Sequence, residues 1–364
     1  FLFLDTTLEP KIPDNLPLDL SYGLTETGVM RSKWFESGAT FLGYHSSPNS
    51  PVHRNFDSGT FIFDSMGIRW AEELGSDSYV IPNYWATKNN PVYRVRTEGQ
   101  NCYVINPSAD SGQRFESEDK IVKTESKPRG AYAVMDITDA YKDYVTSARR
   151  AVMLGDNRRT FTLRDEIDFK EQSDFYWFMH TKADIKLDGN TAILEKNGVK
   201  MKFEFISNQP LTLESMDAVP LDSAVSPQNA ENTGIRKIVI KGKVSGKLNL
   251  TVKIVPQAIE SYVSGAEDTP IDEWTLPDGE IPSIKYLTGL FTDGKRISGF
   301  SPTTNSYTLL KAAQDPYPQI TTECEEGATA TVSGGDGTWS IEVKDNNDPS
   351  NVNVYGINIK NYVD

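Results

Sequence analysis

The chain has 364 residues, enough to bury a sizeable core in two or three domains, and its 38% hydrophobic and 24% charged residues are those of a globular protein. A formal net charge of −14 opposes nucleic acid and anionic membrane surfaces, so an acidic ligand is open only where a cleft gathers arginine and lysine against the global sign. Two cysteines, Cys102 and Cys324, give neither a disulfide framework nor a CxxC metal motif, and no run of about 18 apolar residues offers a membrane span.

An opening of Phe1-Leu2-Phe3-Leu4 without Met reads as processed, or cut from something longer. Beyond it the dominant period is two, in short runs bounded by Gly, Asn, Asp and Pro, which is the pattern of half-buried antiparallel strands. Strands are expected at 60–63, 103–105, 132–136, 150–154, 160–167, 173–180, 191–196 and 200–206, and a short helix at 139–146. The clearest hairpin is 235–255: Ile238 and Ile240 alternate with polar neighbours, Ser245-Gly246 turns, and Leu248, Leu250, Val252 and Ile254 alternate again. Residues 256–283 hold Pro256, Pro270, Pro277 and Pro282 with no sustained period, which is linker chemistry. Further strands follow at 284–291, 307–310, 319–323, 328–333, 338–343 and 352–359, with the plainest turn at Gly334-Gly335-Asp336-Gly337. The reading is all-β: a large antiparallel β-sandwich over 1–256, a linker over 257–283, and a small Ig-like or cadherin-like β-sandwich over 284–364.

The three histidines are easily weighed. His45 lies in a loop and His180 ends an aromatic run; for both the structural role is favoured over ligand contact. His53 opens His53-Arg54-Asn55-Phe56-Asp57-Ser58-Gly59-Thr60-Phe61. Next comes Gly67-Ile68-Arg69-Trp70-Ala71-Glu72-Glu73-Leu74-Gly75-Ser76-Asp77-Ser78-Tyr79, then Arg94-Val95-Arg96-Thr97-Glu98-Gly99-Gln100-Asn101. Taken alone, these segments gather a base, carboxylates, a phenol and arginines on loops and strand ends, a mixture for which a solvated polar rim is the favoured reading. Trp70 and Trp177 belong to the core by their strand positions, whereas Trp85, in a polar loop soon after Tyr79, is placed to line a cleft.

In order and composition the three segments resemble the signature of heparinase II/III-type polysaccharide lyases, and the similarity extends over about residues 20–256. The resemblance implies a substrate held between this β-sandwich and an N-terminal (α/α) toroid that this chain does not contain. It also implies β-elimination on an acidic, uronate-containing polysaccharide, a reaction that needs a proton acceptor, a proton donor and neutralisation of an enolate-like charge. By the same resemblance His53 and Tyr79 are the candidate catalytic residues, and Arg96, Trp85 and Asp57 the candidate substrate contacts. Zinc-containing relatives place ligands where this sequence has Asn55, Glu73 and Gln100. Two amides and one carboxylate suit zinc poorly, so no zinc is expected; calcium would need extra ligands, and a hydrogen-bonded polar cluster is favoured instead. The expected partners are the acidic polysaccharide and the helical domain of the same protein, in a periplasmic or extracellular setting, with this portion inactive alone. The rivals are a non-catalytic glycan-binding or structural protein on the same scaffold, and cell-surface adhesion through tandem sandwiches.

Overall fold

The computed structural model describes residues 15–46, 55–108, 110–221 and 230–362. Regular structure in these residues is β-strand apart from short 3₁₀ turns, as the period-two pattern requires. Five strands form an antiparallel meander: Asp19–Tyr22, Thr27–Arg31, Phe41–His45, Phe61–Ser65 and Ile68–Ala71. A larger eight-stranded sheet runs in the order Asp184–Asp188, Thr191–Lys196, Val199–Ser207, Lys247–Pro256, Thr160–Phe169, Val145–Gly155, Gly130–Asp136 and Lys120–Lys127. The third sheet orders Thr212–Asp217, Arg236–Val244, Ser173–Thr181 and Tyr103–Ile105.

One core joins these three sheets. Phe61 and Phe63 of the meander stack on Phe161 of the large sheet, with ring centroids 4.9 and 5.3 Å apart, and Trp177 of the third sheet meets Phe61 at 6.0 Å. Each is fully buried, and a phenylalanine so placed contributes about 1.5–3 kcal/mol through removal from water. The hairpin expected at 235–255 pairs Arg236–Val244 with the third sheet and Lys247–Pro256 with the large one, so its two arms enter different layers.

Three arginines sit in the interior of the large sheet and its margin at no more than 1% exposure. Buried guanidinium persists only with its charge and donors met, and each of these is met by a different part of the chain. Arg158 forks onto Asp19 at 2.7 Å and also donates to the Arg31, Lys127 and Pro128 carbonyls, tying the meander to the large sheet. Arg164 reaches Asp268 at 2.6 Å. That bond and the packing of Ile271, Trp274 and Leu276 on Tyr132, Val134 and Ala151 lay the proline-rich stretch across the outer face of the sheet. Arg150 serves the site described below.

The helix expected at 139–146 is a single 3₁₀ turn, Asp139–Tyr141, and Val145 already begins a strand. Tyr141 and Val145 are both drawn inside, and the Tyr141 hydroxyl donates to the Tyr103 carbonyl at 2.7 Å, so packing overrides local helix preference. Toward the C-terminus, Leu287–Thr292 pairs with Lys295–Arg296 and Ile320–Cys324. A four-stranded sheet orders Ser306–Lys311, Val352–Asn361, Thr338–Asp345 and Ala328–Gly335; its first pair is parallel. Asp336 and Gly337 make its tight turn, both with positive φ (49° and 94°), the geometry of a two-residue hairpin. Val352 and Val354 join the main core, and Arg159 donates to the Ser350 carbonyl at 2.7 Å, docking this sheet on the rest.

Candidate functional site

Three stretches of loop meet at one end of the meander, and two buried side chains staple them. The Asn101 amide donates to the Phe61 and Glu72 carbonyls at 2.7 and 2.9 Å, while its oxygen accepts the His180 N–H at 2.8 Å. Arg150, fully buried, forks onto Asp165 at 2.7 and 2.8 Å and donates to the Gly59 and Asn101 carbonyls at 2.8 and 3.2 Å. Gly59 itself has φ +88°, a conformation that strains any other residue. Phe56, with no exposed surface, donates its N–H to the Val95 carbonyl at 2.8 Å. Residues 56–61, 72 and 94–101 are thereby held as one unit by protein groups.

On this platform His45 Nε2 faces Asp57 Oδ1 at 3.6 Å, and its Nδ1 lies 2.8 Å from Thr27 Oγ1. Burial pushes the Asp57 carboxyl above its ordinary range, against the pull of His45 and the Asn55 amide. Glu73 lies beside Asp57. Its side chain keeps solvent access, yet crowding by protein pushes its pKa up to about 7, with the Gly75 N–H, Arg94 and Arg69 opposing and Asp57 adding to the rise. Arg69 is forked onto Asp64 at 2.6 and 2.9 Å, and Arg94 holds Asn232 and the Ser76 carbonyl. Beyond Arg94, Tyr79, Tyr84 and Trp85 form a mutual aromatic cluster with centroids 4.8–5.1 Å apart. Tyr84 is buried, while Tyr79 and Trp85 are 55% and 43% exposed, a combination that presents aromatic surface from a fixed base.

His53 lies outside the described residues. Asp57 faces His45, while Tyr79 and Trp85 pack on each other and on Tyr84. Arg96, expected to touch substrate, is instead 3% exposed: it pairs with Glu98 at 2.9 Å and donates to the Asn90 and Ser108 carbonyls, so its charge is met inside the protein. Among the described residues, the partly exposed arginines of this region are Arg69 and Arg94. His180 is in the core with Tyr93 at 2.9 Å; burial and then the nearby Lys237 push its pKa down to about 3, which keeps it neutral. The approach of His45 to Asp57, twelve residues on in the loop before Phe61–Ser65, is one that no local sequence pattern reports.

Asn55, Glu73 and Gln100 fit zinc poorly by their chemistry. The Gln100 amide nitrogen donates to the Arg94 carbonyl at 2.6 Å, and the three side chains offer oxygen only. Among the described residues no group of three or more His, Cys, Asp or Glu could hold a metal ion. No step is assigned to a metal.

The family described as "Heparinase II/III-like, C-terminal" matches residues 26–269. A solved structure of heparinase III aligns with 95% of the chain at 14% identity and TM-score 0.53, and heparan sulfate lyase HepC from Pedobacter heparinus with 97% at 11% identity and TM-score 0.53. The chain spans 43% and 44% of those two structures, and at these identities the likeness is one of fold. No curated protein matches it. No helix among the described residues is long and apolar enough to cross a membrane.

Proposed function

We propose that this chain, which belongs to the heparinase II/III-like C-terminal family, forms one wall of the substrate cleft of a polysaccharide lyase that cleaves an acidic, uronate-containing glycan by β-elimination. The observation that carries the reading is an exposed aromatic pair, Tyr79 and Trp85, near the His45, Asp57 and Glu73 cluster, with Arg94 acting electrostatically on both Glu73 and Tyr84. Sugar rings stack on such aromatics, and elimination needs proton-transfer groups beside them. His53 would neutralise or abstract at the uronate, and Tyr79, Trp85 and Asp57 would contact it. Arg94 or Arg69 is the candidate for the carboxylate contact first assigned to Arg96. The cleft's other wall would be a helical domain outside this chain, the portion alone being inactive. Residues 1–256 would form the working sandwich, 257–283 its connecting strap and 284–364 an accessory module, in a periplasmic or extracellular enzyme.

A second reading, a glycan-binding scaffold without chemistry, is favoured by the amides at Asn55 and Gln100. The two separate in one assay: ultraviolet absorbance of unsaturated uronate, measured over a panel of acidic glycans with a protein that includes the helical domain. Absorbance that disappears in His53→Ala supports the lyase. Binding without absorbance on any glycan overturns it in favour of the scaffold.

A further inference from the structure

His45 stands outside the three signature segments, yet its ring is oriented as a proton donor would be. The Thr27 hydroxyl lies 3.0 Å from the Thr25 carbonyl oxygen and 2.8 Å from His45 Nδ1. With its one hydrogen on the Thr25 carbonyl, the Thr27 hydroxyl accepts from Nδ1–H. In that arrangement Nε2 is the nitrogen left to meet a ligand, and it faces Asp57 Oδ1 at 3.6 Å. The backbone fixes this arrangement: the His45 N–H donates to the Thr60 carbonyl and its own carbonyl accepts the Gly59 N–H at 2.8 Å, binding the histidine to the loop that carries Asp57. The ring keeps 29% of its side-chain surface, enough to meet a ligand. Beyond Asp57, the ionisable groups next in line are Glu73, Arg69 and Arg94.

We propose that His45, held by Thr27 and Asp57, is the acid that protonates the leaving glycosidic oxygen. The inference rests on the lyase reading and assigns that reaction a proton donor on the sandwich side of the cleft. As the C5–H bond breaks, its proton goes to a separate base and its electron pair becomes the C4=C5 bond. The C4–O bond breaks, its pair leaves with the oxygen, and that oxygen takes the proton from Nε2. The products are an unsaturated uronate and a free alcohol, and neutral His45 regains its proton from water. Asp57 supports the charged ring before transfer, a positioning role.

The test compares two substrates with different leaving groups on the protein that includes its helical domain. His45→Gln can still donate to Thr27 but holds no exchangeable acid proton. With a glucuronate-containing oligosaccharide, kcat should fall by about 100-fold or more while KM stays within about twofold. With a 4-fluoro uronide, whose departing fluoride needs no proton, the same variant should turn over within about threefold of the parent. Equal losses on both substrates mean a structural role and overturn the proposal, as does an unchanged kcat on the oligosaccharide. Absence of elimination by the unsubstituted protein overturns the lyase reading and this assignment with it. A separate readout needs no turnover: long-range ¹H–¹⁵N spectra of this chain should show neutral His45 with its hydrogen on Nδ1, and a hydrogen on Nε2 instead overturns the assignment.

Discussion

Replacing Arg150 with alanine tests whether the site is held together by a buried ion pair. The substitution leaves the Asp165 carboxylate with no exposed surface and no forked partner, and takes the donor from the Gly59 and Asn101 carbonyls. Breaking a buried pair from one side costs about 3–5 kcal/mol, because the remaining charge is uncompensated. The deserted carbonyls add about 1–3 kcal/mol each unless water reaches them. Against a typical total stability of about 5–15 kcal/mol, a loss near 5 kcal/mol removes a large fraction of the margin. The pH dependence has a definite sign. Burial already pushes the Asp165 carboxyl up, and Arg150 opposes that rise; without Arg150 the folded-state pKa climbs further above the unfolded one. The variant's deficit should then be largest at neutral and alkaline pH and shrink on acidification as Asp165 takes up a proton. Urea unfolding followed by far-ultraviolet circular dichroism at pH 5 and pH 8 measures both quantities. Arg150→Met with Asp165→Leu should recover much of the loss, since an apolar pair of similar volume replaces a buried ion pair at little net cost. A deficit of Arg150→Ala below about 1 kcal/mol at pH 8, or one that grows on acidification, refutes the argument.

Tyr79→Ala and Trp85→Ala should each weaken binding of acidic oligosaccharides by about tenfold or more in calorimetry, while unfolding stability changes by less than about 2 kcal/mol because both residues are only partly buried. Glu73 makes a contribution opposite to that of an ordinary paired carboxylate: its pKa of about 7 lies above the unfolded value, so stability is fully present in acid and falls as pH rises through about 7. Glu73→Gln should flatten the dependence of thermal midpoint on pH in that window, and an unaltered profile would count against the elevated pKa. Dialysis against a chelator should leave the melting temperature unchanged, since Asn101 and Arg150 rather than a metal join the loops; a drop of several degrees, reversed by zinc, would show that the oxygen set binds metal after all.

The strands legible in the sequence are those with one face in the main core, where alternation is enforced: Phe161, Leu163 and Ile167, or Leu248, Leu250, Val252 and Ile254. Two of the strands that went unread lack such a face. Lys120–Lys127 is a largely exposed edge strand without a consistent apolar row, and Asp184–Asp188 is another edge. Thr27–Arg31 and Phe41–His45 do place Met30, Leu42 and Tyr44 in the core, but they are short and hold Gly28 and Gly43, which pack against Tyr44 and Ile62 and thin the apolar pattern. At the site, residue types were legible but their partners were not. Arg96 and Arg94 look alike in sequence, yet Glu98 holds the first inside while the second remains at the surface.

A charged residue inside an apolar strand was the one signal that could have revealed the scaffold. Arg150 and Arg164 occur in runs otherwise fit for a core, and burial of a guanidinium demands a partner elsewhere in the chain. The structure puts Asp165 and the signature loops on the first and Asp268 of the strap on the second, while Arg158 takes Asp19. Each arginine joins a separate segment to the same large sheet, so the sheet positions the candidate site as well as forming the core. This explains how Asn55, Glu73 and Gln100 can depart from a zinc-binding set without the loops coming apart: positional order resides in Arg150 and Asn101 beneath them. The positions above are then free to vary in chemistry, and the His45–Asp57 pair occupies that freedom at the edge of the same platform.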